Sequence, residues 1–273
     1  MTALSNGLYF TFLSLRFEFG NFLKRKRILI AAVFAIIVPV LAKYVINIPD
    51  YDWPYPPIYK LNVHIEFAKR ALTFSYFPVT ILTAIFFASG SISDEFEKKT
   101  GLLLFSTPQR RISILTGKYL AALAAVLLIV SIVYTVVTAQ IIWLYGTGSI
   151  PFALVKSYLL AALFSCSLVS IIYFLSSVFK KALTSAFIGL FFLFLGSYGL
   201  QMLMEKLEVD KWFLLTSHLG LISEVLNQSR IIPEGTIIEE TQVSFGTGIA
   251  VMIVYAVIFF AAGTWIANRK DMK

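Results

Sequence analysis

"YLAALAAVLLIVSIVYTVVTAQIIWLY", Tyr119 to Tyr145, runs for 27 positions without a charged residue. As a helix it would extend about 40 Å, more than the roughly 30 Å of a bilayer's hydrocarbon. Its residues are apolar on every face, whereas a barrel strand alternates polar and apolar positions over a much shorter length. The stretch reads as a membrane-spanning helix, with Gln140 its most polar residue.

Five more runs share this character. The six spans are placed at about 28–48, 71–92, 118–144, 156–179, 182–204 and 247–267. Composition agrees: 58% of the chain is hydrophobic and 14% charged. A soluble domain has about a quarter of its residues charged. The fold class expected is an all-α integral membrane protein.

Positive charge in short loops orients such proteins. With both termini in the cytoplasm, 15 of the 23 Lys and Arg fall inside and seven outside. Lys43 lies in the outer end of the first span and can snorkel to the interface. The reading is a multi-pass plasma-membrane protein with both termini cytoplasmic. A basic rim facing anionic lipid accounts for the net charge of +8 without nucleic acid.

Residues 1–27 carry Leu4, Leu8, Phe12, Leu15, Phe19, Phe22 and Leu23 at helical spacing, ahead of the basic Lys24–Arg27. This predicts an interfacial helix. Between the first two spans, Pro49, Pro54, Pro56 and Pro57 exclude a regular helix through the middle of the loop. The extracytoplasmic segment 205–246 is apolar yet too interrupted for a clean span. It predicts either a helical element re-entering the outer leaflet or an external cap. The lone cysteine, Cys166, reads as a packing residue, and His64 as structural.

The sequence has no phosphate-binding G-x-x-x-x-G-K-[ST] loop and no H-E-x-x-H pair. The expected hydrocarbon depth contains no Asp or Glu, the residues that secondary carriers use to couple ions. Any transport would therefore draw energy from another chain. No catalytic, cofactor-binding or metal-binding residues are expected.

One segment breaks the apolar pattern. "ISDEFEKKTGLLLFSTPQRRISILTGK", Ile92 to Lys118, holds eight of the 38 charged residues. Ser93 reads as a helix cap, followed by Asp94, Glu95 and Glu97 in the first turn, where the helix dipole favours negative charge. Asp94–Lys98 and Glu95–Lys99 have the favoured i,i+4 order. Phe96 and Leu104 are expected to face the membrane, Gly101 to permit a bend, and Thr107-Pro108 to end the helix. Arg110 and Arg111 would sit among headgroups.

This segment resembles the connection between spans two and three of type-2 ABC transporter permeases. The acidic Glu95 and Glu97, the Thr100-Gly101 pair, Pro108 with Arg110 and Arg111, and Gly117-Lys118 carry the likeness. The resemblance implies a coupling helix over 93–105 seated on a cytoplasmic P-loop ATPase, with Asp94, Glu95, Phe96, Glu97, Lys98, Lys99, Thr100, Gly101 and Leu104 as the ATPase-coupling residues. Pro108, Arg110, Arg111, Gly117 and Lys118 would support the loop. It also implies a homodimer or heterodimer of permeases in membrane lipid, with ATP and Mg bound by the partner ATPase. The expected function is ATP-driven transport, most naturally export. The alternatives are a non-transporting membrane scaffold or assembly factor, and a secondary carrier.

Overall fold

The computed structural model describes residues 3–46, 57–97, 111–146, 152–207, 209–210, 212–227 and 245–270. All regular structure among them is helical. The helices are α1 (Ala3–Lys24), α2 (Arg27–Val45), α3 (Pro57–Ala88), α4 (Gly90–Glu97), α5 (Arg111–Tyr145) and α6 (Ala153–Val178). They continue with α7 (Ala182–Leu190), a π-helical turn (Phe191–Gly196), α8 (Ser197–Lys206), a 3₁₀ turn (Leu215–Leu219), α9 (Gly220–Asn227) and α10 (Phe245–Arg269). Six of the resulting helical stretches are long and apolar enough to cross a bilayer. The protein is an all-α, multi-pass membrane protein.

We call the end of the bundle that carries Lys24, Glu97, Arg111 and Val178 proximal, and the opposite end distal. The second span is longer than expected. Its helix begins at Pro57 rather than near 71, because proline suits the first helical position. The distal part of α3 carries the Glu66–Arg70 pair, 2.8 Å apart. The third span likewise begins at Arg111 rather than 118. The fifth is interrupted by the π turn, which the sequence reading did not anticipate. Residues 47–56, which hold most of the proline-rich loop, lie outside the described residues.

Burial sorts the spans. On α2 only Ile28, Ala31, Ala35, Pro39 and Ala42 are buried, a narrow stripe at spacings of three and four. Leu29, Ile30, Val33, Ile36, Ile37, Val40 and Leu41 face outward. Such a helix lies at the rim of the bundle with its apolar side in lipid. Lys43, at its distal end, sits with Nζ 3.9 Å from the Trp143 ring centroid, so it anchors there through a cation–π contact. Gln140 donates from Nε2 to the Pro39 carbonyl at 3.0 Å, tying α5 to α2 beside the proline.

In contrast, α6 is buried along most of its length and α5 along one full side. In lipid, apolar surface gives no net drive for helices to associate, so small residues and interhelical hydrogen bonds must do it. The central helix α6 provides both. Ser157, Ser165, Ser167, Ser170, Ser176 and Ser177 are all fully buried on it. Neighbouring helices meet these hydroxyls: Tyr134 OH lies 2.8 Å from Ser157, Tyr76 OH 3.1 Å from Ser165 and Tyr119 OH 3.0 Å from Ser170. Ser167 donates to the Met252 carbonyl of α10 at 2.7 Å.

The segment before the last span packs inward. Leu215, Ile222, Val225 and Leu226 join the core that α3 and α6 help to form, and Leu221 is buried against Gly248 of α10. Ser157 donates to the Ile222 carbonyl at 2.6 Å, and Lys69 pairs with Glu224 at 3.5 Å. The buried His218 ring nitrogen Nε2 lies 2.6 Å from the Trp212 carbonyl oxygen. Over 212–227 this is a helical element seated on the bundle's distal end.

Candidate functional site

The eight-residue helix α4 is the meeting point of the proximal end. It forms because the second span breaks at Ser89 and restarts at Gly90. A restarted helix exposes N–H groups that have no partner within it. Ser176, from α6, satisfies two of them: its Oγ accepts from Ile92 N at 3.0 Å and Ser93 N at 3.1 Å. Ser93 is therefore not the cap that the sequence predicts. It lies inside α4, with its own hydroxyl donating to the Ser89 carbonyl at 2.6 Å. A neighbouring helix supplies the cap instead.

The charged residues that follow turn to different neighbours. Lys118, on α5, places Nζ 2.6 Å from Glu95 Oε1 and 2.6 Å from Glu18 Oε1 of α1. The lysine side chain is only 7% exposed, the two glutamates 17% and 20%. Asn21 donates to the other Glu18 oxygen at 3.3 Å. A buried ammonium is stable only when paired and hydrogen-bonded, and here two carboxylates provide this. The group joins α1, the end of span two and the start of span three.

Phe96 was expected to face the membrane, but it packs against the core, with Lys270 Nζ 4.5 Å from its ring centroid. The same ammonium donates to the Ser177 and Val178 carbonyls at 2.9 and 3.0 Å, closing the C-terminus of α6. Burial, and then the nearby Lys180 ammonium, hold Lys270 below the usual lysine range. Glu97 Oε2 accepts from Ala182 N at 3.2 Å and so caps α7. Because this carboxylate is exposed, Glu97→Ala is expected to cost about 1 kcal/mol or less. The thermal unfolding midpoint in detergent would show it; a loss as large as that expected for Lys118 would mean Glu97 does more than cap.

Gly117 precedes the lysine for a steric reason. A Cβ there would lie 2.5 Å from Ser14 Cβ and 2.7 Å from the Thr11 carbonyl oxygen. Helix α1 thus lies directly on α5. Its apolar residues, expected to form one stripe, divide between two faces: Leu15, Phe19 and Phe22 pack inward, while Leu8, Phe12 and Leu23 are exposed.

Asp94 is half-buried and Arg111 exposed at the proximal end. A Cβ on Gly90 would lie 2.9 Å from Asp94 Oδ1, so this carboxylate folds back over the first turn of α4. Lys98, Lys99, Thr100, Gly101, Leu104, Pro108 and Arg110 lie outside the described residues. The structure brings together Glu95, Phe96, Glu97, Gly117 and Lys118 from the expected set. It adds Glu18, Ser176 and Lys270, which sequence reasoning missed. Glu18 carried a signal: it is the only acidic residue before Asp50.

The arrangement joins helices to one another. Glu95, Glu97 and the Ile92 and Ser93 N–H groups of α4 reach α5, α7 and α6, and Lys118 carries the Glu95 link on to α1, so a shift of α4 acts on all four helices. No curated protein matches the chain. A family model described as "Protein of unknown function (DUF2705)" matches residues 28–273, a range that takes in Glu95 and Lys118 and begins after Glu18. The chain belongs to the DUF2705 family.

Proposed function

We propose that the chain is the membrane-spanning permease subunit of an ATP-driven ABC transporter, working as an exporter. The observation that carries this reading is the Glu95–Lys118–Glu18 group. It ties the ends of spans two and three to each other and to α1. A push on the proximal connection would then move two spans together, as a separate motor requires. In this reading the proximal face is cytoplasmic, where the excess of Lys and Arg lies. Both termini are cytoplasmic and the membrane is the plasma membrane. The acidic residues of the described spans lie toward helix ends, which argues against ion coupling. ATP and Mg belong to a partner P-loop ATPase, and two permease chains, identical or similar, form the membrane core.

One observation favours a second reading. Glu95, Phe96 and Glu97 are all engaged within the chain, as in a membrane scaffold or assembly factor whose α4 only braces the bundle. Capture of the tagged full-length protein from native membranes in mild detergent separates the two. The wild type is compared with a Lys98→Glu/Lys99→Glu variant at equal membrane level. A P-loop ATPase bound to the wild type and lost from the variant is the expected result. If no ATPase accompanies either protein while other membrane complexes survive the detergent, the permease reading falls and the scaffold stands.

A further inference from the structure

We infer that α6 is a strut that carries displacement of α4 at the proximal end to α9 at the distal end. Among the described residues, α6 is the span whose side chains hydrogen-bond to both elements. Ser176 caps α4 through the Ile92 and Ser93 N–H groups. Ser157 donates to the Ile222 carbonyl of α9 at 2.6 Å. The two serines are 19 residues apart, about 28 Å along a helix. Both are fully buried, so water does not compete for their hydrogen bonds.

Three of the other spans are poorer conductors of movement, and α5, which is as straight, meets α4 through Lys118 but makes no side-chain hydrogen bond to α9 among the described residues. Helix α2 contains Pro39 and α3 contains Pro78. The second span is also interrupted at Ser89, and the fifth has a π turn. Prolines and π turns are where helices bend. Helix α6 contains neither, and the hydroxyls on Tyr134, Tyr76 and Tyr119 brace it along its length. A rival route runs through α3 itself, since Lys69 meets Glu224 of α9. That pair is 3.5 Å apart and partly exposed, a weak link.

The strut deepens the permease reading by naming how a push at α4 reaches the far side. Its test needs no ATPase, so the two can fail separately. Hydrogen exchange is measured by mass spectrometry on the full-length chain in lipid nanodiscs, following the peptide that contains 215–227. Ser176→Ala is expected to speed exchange there about five-fold, the opening expected for one lost buried hydrogen bond. Ser176→Thr, which keeps the hydroxyl, restores the wild-type rate. Against a Ser157→Ala background, Ser176→Ala adds nothing at 215–227, whereas against Lys69→Ala its effect persists. Ser170→Ala, which removes the mid-helix bonds to Tyr119 and to the Cys166 carbonyl, leaves 215–227 at its starting rate.

Three results would overturn the strut. The effect of Ser176→Ala could stay confined to 90–97. It could add fully to that of Ser157→Ala. Or Ser170→Ala could loosen 215–227 as much, showing general weakening of the bundle. If the ATPase capture fails while this pattern holds, the strut stands and the permease reading does not.

Discussion

Lys118→Met is expected to cost about 3–5 kcal/mol of stability, because removing one partner of a buried ion group leaves the others uncompensated. Glu18 and Glu95 would then face each other in a site where their side chains are 20% and 17% exposed. Repulsion between them adds to the desolvation that the lysine had offset. The triple variant Glu18→Gln/Glu95→Gln/Lys118→Met removes all three charges together. Neutral replacement of a whole buried ion group is often close to neutral in stability, so the triple variant should recover most of the loss. The thermal unfolding midpoint in one detergent is the measurement. A single variant that unfolds at the wild-type temperature would show that α4 is held by its caps alone.

Gly117→Val should undock α1. The nearest atoms to the new side chain belong to α1, and one is the Thr11 backbone oxygen, 2.7 Å from the Cβ position. Backbone cannot swing aside as a side-chain tip can. Overpacking of this kind costs about 1–3 kcal/mol, and the Glu18–Lys118 bond would be lost with it. Gly189→Ala is the matching control. There the closest atom is Ile172 Cδ1 at 2.6 Å, the flexible end of a side chain, so a rotamer change relieves the clash within about 1 kcal/mol. Trypsin should cut faster after the basic residues of 24–27 in Gly117→Val and at the wild-type rate in Gly189→Ala. Equal rates in both would mean that α1 does not depend on this close approach.

Much of the fold is legible in the sequence for a simple reason. A bilayer demands about 20 apolar residues per crossing, and that demand is local. Runs such as Ala71–Ser93 and Tyr119–Tyr145 therefore announce themselves. Helix ends are harder, because polar residues are tolerated beyond the hydrocarbon. That is why the helices starting at Pro57 and Arg111 extend past the apolar runs that revealed them. The candidate site was legible only in part. The acidic turn Asp94–Glu97 was visible, as were Gly117 and Lys118. Their partners were not: Glu18 lies 100 positions from Lys118, and Ser176 lies 84 from Ile92. Local rules assigned Glu95 to Lys99 and the α4 cap to Ser93. Tertiary structure gave the cap to Ser176 and brought Lys118 to Glu95, while Lys99 lies outside the described residues. Nothing in the apolar pattern distinguishes a serine that caps a neighbouring helix from one that merely keeps helices close.

The partners of α4 also have an order in time. A chain entering the membrane from its N-terminus makes α1 and α4 early, then α5 with Lys118, then α6 with Ser176 and α7 with the Ala182 amide. Lys270, which closes α6 and covers Phe96, is synthesised after the last span. The proximal assembly therefore stays open through most of biogenesis and can close only once the final helix has been released from the insertion machinery. Until then Phe96 and the Ser177 and Val178 carbonyls lack the Lys270 ammonium. A chain shortened before Lys270 would lack that closure permanently, with all six spans in place.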